Sequence, residues 1–88
     1  MKLLATPRFL DGVPPVRSQE VLLAMRAAGI TYGNPHLHSG IGLRRIRPFM
    51  ECRCGIDFRL VFQREKDGLV FHVCGTHAEV QAFLKNQR

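Results

Sequence analysis

Cys52, Cys54, Cys74 and His77 are the side chains of this 88-residue chain whose types and spacing point most directly to chemistry. In order they read C-x-C, a gap of nineteen residues, then C-x-x-H. Three thiolates and one imidazole make a full tetrahedral set of the kind zinc takes in structural sites. With all four positions filled by protein, no coordination site is left open for water or substrate. The expected cofactor is therefore one structural Zn2+ per chain, building the fold. Residues two apart on an extended segment point the same way, so Cys52 and Cys54 can converge, and sulfurs on one zinc at ~2.3 Å stand roughly 3.8 Å apart. Metal binding would contribute an apparent ~10–16 kcal/mol to folding, more than the core of so short a chain supplies alone. His72, two residues before Cys74, is an alternative to His77 as the fourth ligand. His36-Leu37-His38 is another close pair, but with no carboxylate or third ligand beside it no role is assigned.

The elements that must position these ligands are legible mainly in the second half. Ile56, Phe58, Leu60 and Phe62 alternate with Asp57, Arg59, Val61 and Gln63, the pattern of a strand buried on one face. Leu69, Phe71 and Val73 alternate in the same way, and Asp67-Gly68 between the two runs is a favoured hairpin turn. That turn pairs Phe62 with Val73 and Arg64 with Phe71, which keeps both apolar sets on one side of the ribbon. Thr76-x-x-Glu79 then reads as the capping box of a final helix whose stripe is Val80, Phe83 and Leu84. His77 is expected on that stripe, facing the hairpin.

Further upstream, a helix is expected from Ser18 as N-cap, through Val21, Ala24, Met25 and Ala28, to Gly29 at the position after its end. Residues 1–17 read as an irregular arm because Pro7, Gly12, Pro14 and Pro15 interrupt them. Residues 31–42 read as loop. Leu43 to Glu51 reads as a strand that Pro48 places on an edge or breaks.

A cysteine knuckle, a β-hairpin and a helix carrying ligands at its start together resemble the treble-clef zinc finger. The resemblance covers Met50 to Arg88, and the knuckle Cys52-Arg53-Cys54 is one residue shorter than the usual C-x-x-C. It implies an α+β fold with an N-terminal helix packed on a small zinc-stapled hairpin and a C-terminal helix. The chain divides into an arm (1–17), a helix with a basic loop and strand (18–49) and the finger (50–88), together one domain.

Charge suggests what such a finger would touch. Lys and Arg number thirteen against seven acids, a net charge of +6, and ten of the thirteen are Arg. Arg favours bidentate contacts to phosphate and carboxylate. Arg44, Arg45, Arg47, Arg53, Arg59 and Arg64 crowd around the cysteines and the hairpin, a candidate surface for phosphates. The Phe positions all read as core, so no aromatic stripe for base stacking is indicated. An odd cysteine count argues against a disulfide framework and for a reducing, cytoplasmic compartment. The apolar opening Met1-Lys2-Leu3-Leu4-Ala5 stops at Thr6-Pro7-Arg8, too short for a signal sequence.

The expected function is non-catalytic binding of nucleic acid or a nucleoprotein complex through the arginines. An alternative is a small protein-binding adaptor or inhibitor that occupies an acidic surface, such as a viral protein blocking a host nucleic-acid machine. A nuclease-like enzyme ranks third, because a closed Cys₃His shell suppresses Lewis-acid chemistry.

Overall fold

The computed structural model describes residues 2–33, 43–46 and 48–87. Its centre is a five-stranded mixed sheet formed by β1 (Lys2–Ala5), β2 (Arg44–Ile46), β3 (Phe49–Cys54), β4 (Phe58–Glu65) and β5 (Gly68–Thr76). The spatial order is β1-β5-β4-β3-β2. β1 runs parallel to β5, and all other neighbours are antiparallel. Helices α1 (Pro7–Asp11) and α2 (Ser18–Gly33) cover one face, and α3 (His77–Lys85) covers the other. No helix among the described residues is long and apolar enough to cross a membrane.

Covering both faces changes the meaning of the apolar pattern. Leu60, Val61 and Phe62 are consecutive and all fully buried. Leu60 and Phe62 pack with Phe9, Val21 and Ala28 on the α1/α2 side. Val61 packs with Phe49, Val73 and Val80 on the α3 side. A central strand with cover on both faces loses the alternation that a one-sided strand keeps, so the one-face-buried reading of β4 is corrected.

The hairpin register also differs from expectation. Glu65 pairs with Gly68, and the turn is Lys66-Asp67. Gly68 is already part of β5, because a Cβ there would overlap the Lys2 carbonyl oxygen where β1 joins the sheet. Phe62 pairs with Phe71, while the next position along, Val61, pairs with Val73, leaving His72 as the extra residue of a bulge. The bulge shifts parity, so Phe71 and Cys74 both face α1 and α2, whereas Val73 faces α3. His72 stacks edge-on against Phe49, with ring centroids 5.3 Å apart, beneath α3.

The first seventeen residues are ordered into β1, α1 and a 3₁₀ turn at Pro15–Arg17, not an irregular arm. Pro7 is tolerated because it stands in the first turn of α1, where its missing N–H is not needed. Thr6 ties this segment to the bulge: its hydroxyl donates to the His72 carbonyl at 2.9 Å and accepts from the Phe9 N–H at 3.1 Å. Ser18 opens α2 rather than capping it, and α2 runs through Gly29 to Gly33. Gly29 lies within the helix because Leu3 of β1 packs against it; an added Cβ would stand 3.1 Å from Leu3 Cδ2. Pro48 splits the expected Leu43–Glu51 strand into β2 and the start of β3.

No zinc-stapled hairpin forms. Cys52, Leu60 and Cys74 occupy one row across β3, β4 and β5. The backbones of the two cysteines are thus two strand spacings apart, roughly 10 Å, with Leu60 between them, and among the described residues no group of three or more His, Cys, Asp or Glu is placed to hold a metal ion. All three cysteines are buried in the core under α1 and α2. His77 and His72 belong to the α3 side of the sheet, so neither reaches the cysteines as a fourth ligand. Burial pushes the Cys52 thiol up to about 12 and the Cys74 thiol up to about 11, and raises Cys54 as well. These are neutral core thiols, and Cys74 Sγ donates to the Phe9 carbonyl at 3.4 Å.

Candidate functional site

Strand register sorts the six candidate arginines. Arg44 pairs with Glu51 and Arg53 with Arg59, and paired residues share a face of the sheet. Glu51 in turn pairs with Val61, which packs under α3. Arg44, Arg53 and Arg59 are therefore brought together on the α3 face, beside α3. Arg45 pairs with Met50 and Arg64 with Leu69, both core residues of the opposite face, so neither joins the group. Arg47, like His36 and His38, lies outside the described residues.

Arg44, Arg53 and Arg59 line a cleft of about 300 Å³ together with Leu43 and Glu51. Arg44 and Arg53 are exposed and Arg59 is half-buried. Glu51 is only 2 % exposed, and its Oε1 accepts an ion-pair contact from Arg59 Nε at 3.4 Å. Glu51 Oε2 and Arg59 Nη1 are buried without a hydrogen-bond partner. Two arginines directly opposite on antiparallel strands repel each other, and one carboxylate among three guanidinium groups leaves a local excess of positive charge. The Nε side of Arg59 is held by Glu51 while its Nη1 is uncommitted. Such a group is complementary to an anion with several acceptor oxygens.

α3 begins next to this cleft. Gly75 pairs with Arg59, and the helix starts two residues later at His77. The capping box fixes that start: the Thr76 hydroxyl accepts from the Glu79 N–H at 3.3 Å, and Glu79 Oε1 accepts from the Thr76 N–H at 2.9 Å. The second bond holds the Glu79 carboxyl below its ordinary range. Val80 is buried and Phe83 and Leu84 are half-buried against the sheet, whereas His77 is exposed. Side chains four and eight residues after His77 share its side of the helix. These are Gln81 and Lys85, and both face β2 across a second cleft. His77 thus stands on the side of α3 that looks towards the arginines.

The sequence singled out His77 as a metal ligand; the structure places it instead, exposed, at the start of α3, two residues after the Gly75 that pairs with Arg59. Sequence reasoning passed over Glu51 as a counter-ion, although its position two residues before Arg53 on one strand was a usable signal. Among the described residues, no group of three or more His, Cys, Asp or Glu side chains is placed to hold a metal ion. The set that remains can bind phosphate and move a proton.

No protein-family model matches this sequence, and no curated protein matches it. Solved structures do. A chain of the RelB-RelE antitoxin-toxin complex from Methanococcus jannaschii superposes with a TM-score of 0.63 at 13 % identity, over 91 % of this chain and 96 % of that one. A chain of the E. coli DinJ-YafQ complex gives 0.62 at 14 %, over 90 % and 96 %. A copper-bound mutant toxin from Helicobacter pylori gives 0.61 at 25 %, over 91 % and 98 %.

These likenesses overturn the treble-clef resemblance and the structural zinc, since the shared fold spans nearly the whole chain and its cysteines are core residues. They also overturn the reading as a zinc-finger binding module and the adaptor alternative. The expectation that the chain is not an enzyme falls with them: its premise was a closed metal shell, and the cysteines are instead core residues of a fold shared with these toxin chains. Proteins of this fold occur in complexes with protein partners, as the RelB-RelE and DinJ-YafQ structures record.

Proposed function

We propose that this chain is the toxin of a toxin–antitoxin pair and that it acts by cutting RNA in the Arg44–Arg53–Arg59 cleft. The observation that carries the chemistry is the convergence of three guanidinium groups in one cleft, with the exposed His77 opening the helix that starts two residues after the Arg59 partner Gly75. The fold likeness over nine-tenths of the chain supports the toxin reading.

A phosphodiester in this cleft would meet the forks of the exposed Arg44 and Arg53 and the solvent-facing edge of the half-buried Arg59. Charge-assisted bonds of this kind strengthen as negative charge builds up on the equatorial oxygens in the transition state. RNA carries its own nucleophile. The 2′-hydroxyl oxygen bonds to phosphorus, the bond from phosphorus to the 5′-oxygen breaks, and the 2′-hydroxyl proton passes to solvent. His77 gives a proton to the departing 5′-oxygen, the general-acid role that imidazole most often takes. The products are a 2′,3′-cyclic phosphate and a 5′-hydroxyl end. DNA lacks the 2′-hydroxyl and offers no such internal attack. The partner we assign is an antitoxin protein, as for the RelB-RelE and DinJ-YafQ pairs.

Induced expression with mapping of RNA ends tests this reading. Wild type should arrest growth and generate new 5′-hydroxyl ends. The variant His77→Ala should lower their yield roughly 10²–10⁴-fold, with circular dichroism unchanged because His77 is exposed. Wild-type expression that creates no new RNA ends would rule out the cutting reaction, and an undiminished His77→Ala variant would rule out His77 as its proton donor.

A further inference from the structure

We infer that the cleft between β2 and α3 is a nucleobase subsite, seating the base next to the phosphate held by the three arginines. The inference rests on the RNA reading above and adds to it a place for the base.

This second cleft encloses about 600 Å³, within the usual range of sites for small organic groups. Its apolar part is Ile46 and Pro48 on the β2–β3 side, Phe49 at the base and Leu84 from α3. Phe49 is 7 % exposed and is fixed by edge-on contacts to His72 and Phe83, with centroids 5.3 and 5.4 Å away. The floor is therefore a packed aromatic ring held on two sides. Gln81 and Gln87 stand at the rim with Arg44 and Lys85. Each glutamine amide presents a donor and an acceptor side by side, the pattern needed to meet a base edge. No carboxylate lines the cleft, so it favours an electronegative occupant over a basic peptide.

Arg44 connects the two clefts, since it lines both. A phosphate on Arg44 brings an adjoining nucleotide to the mouth of the apolar cleft. His77 and Gln81 are one turn apart on the same side of α3, which puts the proton donor and the amide that meets the base in register. A two-ring base covers more of the floor than a one-ring base, so purines should bind more tightly by area alone.

The test is a nuclear magnetic resonance titration of the full chain with inorganic phosphate and with each of the four nucleoside 3′-monophosphates. Phosphate should shift Arg44 and Arg53 but leave the Ile46 and Leu84 methyl groups in place. Nucleotides should move all four, with ring-current shifts at the methyl groups and purines binding about 10-fold more tightly than pyrimidines. Gln81→Ala should compress the differences among the four nucleotides without changing phosphate affinity, and its spectrum reports directly whether it folds. The subsite is overturned if nucleotides shift the methyl groups no more than phosphate does. It is equally overturned if Gln81→Ala and Ile46→Asp both leave the differences among the four affinities unchanged. Because this readout needs no cleavage, methyl shifts without new RNA ends in cells would remove the cutting reaction alone. New RNA ends without methyl shifts would remove the subsite alone.

Discussion

Glu51 shows how a single buried residue ties stability to function. It lies at the end of the Arg59 side chain with one oxygen engaged and the other unpartnered. Removing Arg59 leaves a buried carboxylate without its counter-ion, at a cost of roughly 3 kcal/mol. Arg59→Ala should therefore lower the denaturation midpoint, and adding Glu51→Gln should recover part of the loss, as chemical denaturation of both variants would show. A double variant as unstable as Arg59→Ala would mean that the loss comes from packing rather than from the charge. The cysteines give a pH-dependent counterpart. Cys52 at about 12 and Cys74 at about 11 lie above the ordinary 9.0 of a thiol. Between these values the unfolded chain loses protons that the folded chain keeps. The stabilisation is full below about pH 9 and falls as the pH rises through the folded-state values. Denaturation midpoints should drop across that window, and less so in Cys52→Ala; equal slopes in the two proteins would refute the assignment. Chelation of divalent metal should leave the melting temperature unchanged, since the three thiols are packed as core residues under α1 and α2.

At the level of elements, the glycines and caps decide where the side chains arrive. Gly68 lets β1 lie against β5, and any larger residue there meets the Lys2 backbone. Gly68→Val should detach β1, read as rapid amide exchange of residues 3–5 with β3 and β4 still protected. Gly55 has φ +74 and turns the chain between β3 and β4. A Cβ there would stand 2.7 Å from Glu20 Oε1. The same turn is held to α2 by Arg17, which contacts Asp57 at 3.1 Å, Glu20 at 3.0 Å and the Cys54 carbonyl at 3.3 Å. Thr76 sets the start of α3 and with it the place of His77. Thr76→Ala should cost about 1 kcal/mol and also reduce RNA cutting. Destabilisation without loss of activity would show that the cap serves the helix alone.

For the whole molecule, the two-faced sheet separates tasks. The α1/α2 face holds most of the core, including the three thiols. The α3 face combines a smaller core with the arginine cleft. The net charge of +6 promotes encounter with any polyanion, whereas the cleft supplies a defined number of contacts. If three arginines each neutralise one phosphate, the logarithm of single-stranded RNA affinity should fall with the logarithm of salt with a slope of about −2. Arg53→Ala should make that slope shallower by about 0.7. An unchanged slope, measured by fluorescence anisotropy, would place the phosphates elsewhere on the surface.

Much of the local structure is written in the sequence. The capping box at Thr76 and Glu79, the apolar stripe of α3, a β4–β5 hairpin and the clustering of arginines around it all follow from residue type and spacing, because those interactions reach only a few residues. Long-range pairing decided the rest. The parallel contact of β1 moved the turn from Asp67-Gly68 to Lys66-Asp67, and the bulge at His72 reversed which face each later residue of β5 presents. Both events join residues that are far apart in the chain, so no local periodicity records them. They set three cysteines and a histidine that looked like one metal site on opposite sides of a sheet. The same pairing sorted Arg44, Arg53 and Arg59 into one cleft on the α3 face and sent Arg45 and Arg64 to the other face, where the sequence had offered all of them as a single candidate surface.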